Sequence, residues 1–216
     1  MQTSSNEQEQ LARGMAALGI AAEDAAIDHL IRYCGLLRQW NRTYNLVSAS
    51  GLADLTVRHL LDSLSVKAYL LPGRLLDVGS GAGLPGLPLA IVDPGLDCAL
   101  LDSGGKKIRF LKHVKRSLNI ANMRVLHMRV EDLENGDRFD NIISRAFASL
   151  LKFATAVRHL SGAGTRLLAM KGKYPEDELQ ALPAWLKVDS VEKLDVPDLH
   201  AERHLVMMSV PGACRT

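Results

Sequence analysis

Apolar positions recur at helical spacing between Glu23 and Trp40, where Ile27, Leu30, Ile31, Cys34, Leu37 and Trp40 share one face. The pattern predicts an amphipathic helix. Trp40-Asn41-Arg42-Thr43-Tyr44-Asn45-Leu46 interrupts it and reads as a polar loop flanked by aromatic residues. Leu52 to Leu71 reads as a second helix, stopped by Pro72-Gly73. Ahead of both, Met1 to Gln10 is polar and glutamine-rich, lacks the apolar stretch of a signal peptide and is expected to fray. The organisation that follows is a flexible segment over 1–20, a helical cap over 21–72 and a larger domain over 73–216.

After Gly73 the rhythm alternates between short apolar runs and amphipathic stretches. Strands are expected at Arg74–Val78, Asp97–Leu101, Arg124–Met128, Asp140–Ser144 and Thr165–Met170. Helices are expected around Pro88–Val92, Lys106–Leu118 and Leu150–Leu160. Val188–Leu194 and His204–Val210 read as an antiparallel edge pair. Alternating β and α elements imply an α/β fold, a mostly parallel sheet with helices on both faces. A ligand is expected beyond the C-terminal strand ends, at the switch point beside the first strand.

The first strand runs into Asp77-Val78-Gly79-Ser80-Gly81-Ala82-Gly83-Leu84-Pro85-Gly86. Glycines spaced GxGxG allow positive φ and let a ligand approach the main chain. The spacing is not the dinucleotide GxGxxG, and the helix start at Leu84-Pro85 is apolar, which disfavours a pyrophosphate there. Asp102 closes the second strand about two dozen residues after Gly79, where an acid accepts hydrogen bonds from ribose hydroxyls. NAD and S-adenosylmethionine share that ribose, so Asp102 does not separate them.

Other strand ends carry polar groups. Glu131 and Asp132 after the third strand either meet an adenine amine or cap a helix. Arg145 after the fourth strand reads either as an arginine aimed at the pocket, toward a carboxylate or a nucleic-acid phosphate, or as a surface arginine. Lys171 and the Glu202-Arg203-His204 segment lie at strand ends and read equally as solvated ends or as phosphate cations. Lys106, Lys107, Arg109, Lys112, Lys115 and Arg116 crowd one helix, as a solvated face or, with Lys152 and Arg158, a phosphate-tracking patch.

Composition narrows the classes. The 216 residues are 47% hydrophobic with a formal net charge of +2, enough for one α/β domain with an appendage and too mild for strong nonspecific polyanion binding. No apolar run approaches the roughly 20 residues of a membrane span. Cys34, Cys98 and Cys214 are scattered without a CxxC, so a reducing compartment is expected and a structural zinc site is not. No GxSxG, HExxH, Walker lysine or short-chain-dehydrogenase Tyr-x-x-x-Lys pair is found. Ser144-Arg145-Ala146-Phe147 stands where amino-directed methyltransferases carry Asn-Pro-Pro-Tyr, and no cysteine follows a strand end as a carbon-methylating nucleophile would.

On these residues the chain resembles the bacterial 16S ribosomal RNA guanine-N7 methyltransferases, once named glucose-inhibited division protein B. The matching segments are Trp40-Asn41 with Asn45-Leu46, Arg58-His59 with Asp62-Ser63, the glycine turn, Leu100-Leu101-Asp102-Ser103, Ser144 to Ala148, Lys171-Gly172 and Glu202-Arg203-His204. Together they run from about residue 25 to 210. Many members carry proline at the position of Ala82, and the two ends match poorly. The resemblance implies a Rossmann-like, seven-stranded methyltransferase fold with a helical N-terminal cap. It implies S-adenosylmethionine as methyl donor, no metal, and a guanine in the 530 loop of 16S ribosomal RNA as acceptor. Gly79, Gly81 and Leu84 would line the methionine and ribose, Asp102 and Ser103 the ribose, Val130 and Glu131 the adenine, and Arg145 the mouth. Arg145, Lys171, Arg203 and His204 are the residues expected near the guanine, while Asn41, Asn45, Arg58 and His59 would organise the cap or touch RNA. No general base is expected, because guanine N7 already carries an in-plane lone pair. The implied protein is a cytoplasmic monomer acting on 16S RNA or the small subunit, away from membranes. A small-molecule methyltransferase, a non-catalytic ribosome-assembly factor that keeps the pocket, and an NAD oxidoreductase remain as alternatives.

Overall fold

A computed structural model describes the chain apart from Met1, Ala22, Asn135, Asp137, Ala146 and residues 212–216, so Cys214 lies outside the described residues. The N-terminal part contains α1 (Gln2–Ala17), α2 (Asp24–Tyr44) and α3 (Ala49–Ala53). A π-helical segment, Thr56–Leu61, then continues into α4 (Asp62–Leu64), and a 3-10 turn spans Lys67–Tyr69. The α/β part follows as β1 (Arg74–Val78), α5 (Gly86–Val92), β2 (Asp97–Asp102), α6 (Gly105–Ser117), β3 (Met123–His127) and β4 (Asn141–Ser144). It ends with α7 (Leu150–Val157), β5 (Arg166–Lys171), α8 (Glu176–Gln180), β6 (Lys187–Lys193) and β7 (His204–Ser209).

These strands form one seven-stranded sheet in the order β3-β2-β1-β4-β5-β7-β6. The first five strands pair in parallel, whereas β7 pairs antiparallel with both β5 and β6. The expected doubly wound sheet with an antiparallel edge is therefore present. Its strand order reverses direction between β1 and β4, which opens a crevice at their C-terminal ends. Central-strand runs such as Leu75-Leu76 and Ala99-Leu100-Leu101 are buried on both faces, as parallel strands between helical layers must be.

The N-terminal third departs from the sequence reading in three places. Residues expected to fray form α1, with Leu11 and Met15 buried. Their i, i+4 spacing gives even a polar segment an apolar stripe to dock. Next, α2 does not stop at Trp40 but runs on to Tyr44, where the Trp40 and Tyr44 rings meet one turn apart at 5.4 Å. Asn45 then ends it in the left-handed conformation at φ 48°. Lastly, the single helix expected over Leu52–Leu71 is broken into α3, the π segment, α4 and the 3-10 turn. A π turn carries an extra residue and rotates the side chains after it, a device common at functional sites.

The cap is not a separate unit. Leu30, Leu37, Leu60 and Leu64 join Leu87, Leu100, Phe110 and Leu111 in one continuous core on the α5 and α6 face of the sheet. Buried Asn141 of β4 fastens the seam, donating to the Leu71 carbonyl and accepting from the Leu71 N–H, both at 2.8 Å. No helix among the described residues is long and apolar enough to cross a membrane.

Candidate functional site

The turn after β1 is built from glycines that need positive φ: Gly79 at 71°, Gly81 at 59° and Gly83 at 100°. The Gly79 and Ser80 N–H groups donate to the Leu101 carbonyl at 2.9 and 3.1 Å, which ties the turn to the end of β2. Gly83 has a second constraint, since a Cβ there would meet Leu111 at 2.9 Å and Leu87 at 3.0 Å. Tyr33 of α2 reaches the same turn and donates from its buried hydroxyl to the Ala82 carbonyl at 2.9 Å. Burial pushes that phenol well above its ordinary pKa.

Asp77, at the end of β1, is fully buried and accepts from the Gly86 N–H at 2.8 Å through Oδ2. Its Oδ1 has no partner among the described residues. Burial raises its pKa to about 7, against the lowering effects of the Gly86 hydrogen bond and the Arg145 charge.

Two cavities flank the crevice. The first, of about 340 Å³, is lined by Val78 and Gly79 of the turn, Asp102, Ser103 and Lys107, the Met128–Glu131 segment, and Ser144, Phe147 and Ala148. A Cβ on Gly79 would meet nothing within 4 Å, so its face opens onto this space. Asp102, only 4% exposed, presents its carboxylate here. It accepts from Gly81 N–H at 2.9 Å, Gly104 N–H at 2.7 Å and Lys107 Nζ at 3.3 Å. Because Lys107 is a flexible surface side chain, an incoming hydroxyl can displace it and take up the vacated lone pair. A bare main-chain turn, a buried carboxylate at the strand end and an apolar wall from Met128, Val130 and Phe147 have the chemistry to take a nucleoside carrying an amino-acid tail.

The second cavity, of about 320 Å³, lies on the other side of the β4 end. It is lined by Ser48, Ser50 and Gly51, by Arg58, His59 and Asp62 of the cap, and by Arg145, Met170, Lys171, Gly172 and Arg203. Buried Asp62 is its pivot. Arg145 donates to Asp62 Oδ2 at 3.2 Å, and Arg203 donates to Oδ1 at 2.7 Å. A second Arg145 hydrogen bond, 3.2 Å long, ends on His59 Nδ1. A guanidinium can only donate, so Nδ1 is the acceptor and the proton of the neutral ring sits on Nε2. Burial and the Arg145 charge hold the His59 pKa down at about 4, consistent with that neutral ring. Nε2 packs against Gly51, where a Cβ would come within 2.5 Å of it. Lys171 is held by both carboxylate oxygens of Glu178, each at 2.9 Å. Arg58 is exposed and has no ion-pair partner among the described residues.

The chain matches the GidB family, rRNA small subunit methyltransferase G, over residues 26–206. It belongs to that family. Relatives named ribosomal RNA small subunit methyltransferase G include one from Salmonella arizonae, 48% identical over 92% of this chain and 96% of its own. Another, from Pseudomonas fluorescens, is 47% identical over 94% of this chain and 95% of its own. Among solved structures, a SAM-dependent methyltransferase from Aquifex aeolicus is similar with a TM-score of 0.57 at 19% identity, over 79% of this chain and 98% of that one. The glycopeptide N-methyltransferase MtfA, complexed with S-adenosylmethionine, has a TM-score of 0.56 at 12% identity, over 71% and 88% of the two chains. Those two likenesses concern the fold, a Rossmann-like methyltransferase fold.

In this GidB-family chain the residues singled out from sequence divide among three places. Gly79, Asp102, Ser103, Val130 and Glu131 line the first cavity, with Gly81 bonded to Asp102 just behind it. Arg58, His59, Arg145, Lys171 and Arg203 line the second. Arg145, expected at both sites, is thus placed on the side of the cap. The rest line neither cavity. Leu84 is 4% exposed and packs into the core, drawn there by the apolar helix start. Asn41 is buried and exchanges hydrogen bonds with the Val47 backbone, and Asn45 ends α2, so this pair shapes the helix terminus. His204 is buried, with Nδ1 3.3 Å from the Gly172 carbonyl. Sequence reasoning named Asp62, Lys107 and Phe147 only as members of a motif, a basic helix and a strand-end segment and gave them no site role, and it assigned none to Met128. Asp62 had a signal, an acid among apolar neighbours within a matching motif, but its two arginine partners lie 83 and 141 positions away.

Proposed function

We propose that the protein transfers the methyl group of S-adenosylmethionine to N7 of a guanine in the 530 loop of 16S ribosomal RNA. The observation that carries this reading is the pair of cavities on the two sides of the β4 end, one lined by Ser144 and the other by its neighbour Arg145. One suits a nucleoside with an amino-acid tail, and the other carries an excess of arginine. The family's printed name and the relatives' names support ribosomal RNA as the acceptor class.

The first cavity would hold the donor, with Asp102 on the ribose, Val130 and Glu131 on the adenine side and Gly79 against the tail. S-adenosylmethionine bound there supplies an electrophilic methyl group. The protein's task is alignment and exclusion of water rather than proton removal, because an in-plane nitrogen lone pair is already nucleophilic. Ser144 fixes the crevice floor by donating to the Val78 carbonyl at 2.8 Å. Asp62 keeps Arg145 and Arg203 in fixed directions, where they can meet guanine O6 or a neighbouring phosphate. N7 lies on the Hoogsteen edge, which an A-form helix keeps at the bottom of its deep, narrow major groove, so the guanine is best reached in a loop or otherwise opened RNA.

The deciding experiment supplies labelled S-adenosylmethionine with small subunits that lack the modification, and with naked 16S RNA in parallel. Label should appear as 7-methylguanosine in a 530-loop fragment. Label only in protein or in a small molecule would overturn the proposal.

A further inference from the structure

Tyr174 has no part in either cavity. The residue is 53% exposed and, with Leu151 at 40%, is one of the two exposed large apolar residues among those described. A single exposed aromatic is ordinary, but the placement of this one is not. It follows Lys171-Gly172-Lys173, and Lys171 and Gly172 line the arginine-rich cavity. Buried Pro175 anchors the chain directly behind it. The Tyr174 ring meets His204 nearly at right angles, with centroids 5.6 Å apart and planes at 85°. His204 is itself held 3.3 Å from the Gly172 carbonyl, so the phenol is braced at the cavity rim.

A perpendicular ring pair places the edge of one ring on the face of the other. If Tyr174 gives its edge, His204 covers neither of its faces; if it receives an edge, His204 covers one. At least one broad face of Tyr174 stays clear of His204 in both cases, in keeping with its exposure. An exposed cation, Lys173, stands beside it in the chain, and the cavity that Lys171 and Gly172 line also carries exposed Arg58. A braced aromatic face beside a lysine, next to an arginine-rich cavity, fits single-stranded nucleic acid, where bases stack on aromatic rings and phosphates meet lysine and arginine.

We propose that Tyr174 is a stacking platform for the RNA base adjoining the target guanine. The proposal rests on the RNA-methylating reading above. A guanine that leaves its stack to enter the cavity also exposes the face of its neighbour, and an aromatic ring at the rim restores that contact for any base. Tyr174 is outside the cavity lining, which assigns it to the neighbouring base rather than the guanine itself.

Steady-state methylation of unmodified small subunits by Tyr174→Phe, Tyr174→Leu and Tyr174→Ala tests this, with S-adenosylmethionine affinity measured by calorimetry on each. Phe should stay within about twofold of wild type. Leu and Ala should raise KM for RNA roughly 5- to 100-fold, the range of one lost base stack. Their kcat and cofactor affinity should not change. The slope of RNA affinity against salt should also stay as in wild type, since no phosphate contact is lost. If the Ala variant does not fold, the Leu variant decides, as it keeps an apolar side chain against His204. An unchanged KM in Tyr174→Leu, or loss of function in Tyr174→Phe, overturns the proposal. Wild type that methylates no RNA would instead sink the underlying reading, and the platform with it.

Discussion

Replacing Asp62 by Asn tests whether the two arginines are held in register by one buried carboxylate. The Asp62 side chain is 4% exposed, while those of Arg145 and Arg203 are 23% and 22% exposed. Asn keeps the volume and one acceptor oxygen but removes the negative charge that both guanidinium groups share. Breaking a fully buried ion pair from one side costs about 3–5 kcal/mol. Here both arginines border a cavity and keep about a fifth of their surface in water, so screening reduces the expected loss to about 2 kcal/mol. Urea unfolding at neutral pH should show that loss as a lower midpoint at unchanged slope. The arginines, no longer fixed, should hold the guanine poorly. KM for RNA should rise about tenfold or more, while S-adenosylmethionine affinity, which the proposal assigns to the other cavity, stays near wild type. A stability change below about 0.5 kcal/mol together with an unaltered RNA KM would refute the pivot role, because it would match an ordinary surface pair.

Asp102→Ala should abolish detectable binding of S-adenosylmethionine in a calorimetric titration while leaving a folded protein; retained affinity would remove the ribose role. Tyr33→Phe leaves the buried Ala82 carbonyl without its donor, and should cost about 1–3 kcal/mol in thermal or urea unfolding and weaken cofactor binding. For Asp77, the folded pKa of about 7 lies above the ordinary carboxylate value of 3.8, so between these pH values the folded chain keeps a proton that the unfolded chain has released. Its contribution to stability is therefore lost as pH rises from about 4 to about 7. Asp77→Asn should gain stability relative to wild type on going from pH 5 to pH 8, by on the order of a few kcal/mol, and an equal difference at both pH values would refute the shift. His59 acts in the opposite sense, since its depressed pKa of about 4 makes stability fall as pH drops below about 6.5. The two effects oppose each other in wild type, so the Asp77 variant must be compared at both pH values.

What the sequence alone determined was set by short-range patterning. The strands β1 to β5 lie within one residue of the apolar runs that predict them, because buried parallel strands leave continuous apolar segments. The glycine turn and Asp102 were likewise legible, since positive φ and a strand-end acid are local properties. The edge hairpin followed from two β-rich runs late in the chain. Local patterning failed where packing overrode it. The first helix hid its stripe behind polar neighbours, and ring contact carried α2 past an apparent break at Asn41.

The tertiary structure alone decided how the polar residues divide. Arg145 and Ser144 are adjacent in sequence yet line different cavities, because the crevice at the end of β4 separates them. Leu84 and Asn41 sit in matching motifs but serve the core and a helix end. Asp62 acquires its role from two arginines supplied by β4 and β7 segments far along the chain. Periodicity reports which face of an element is buried; it carries no information about which distant charge will meet that face, and only the assembled sheet and cap bring those charges together.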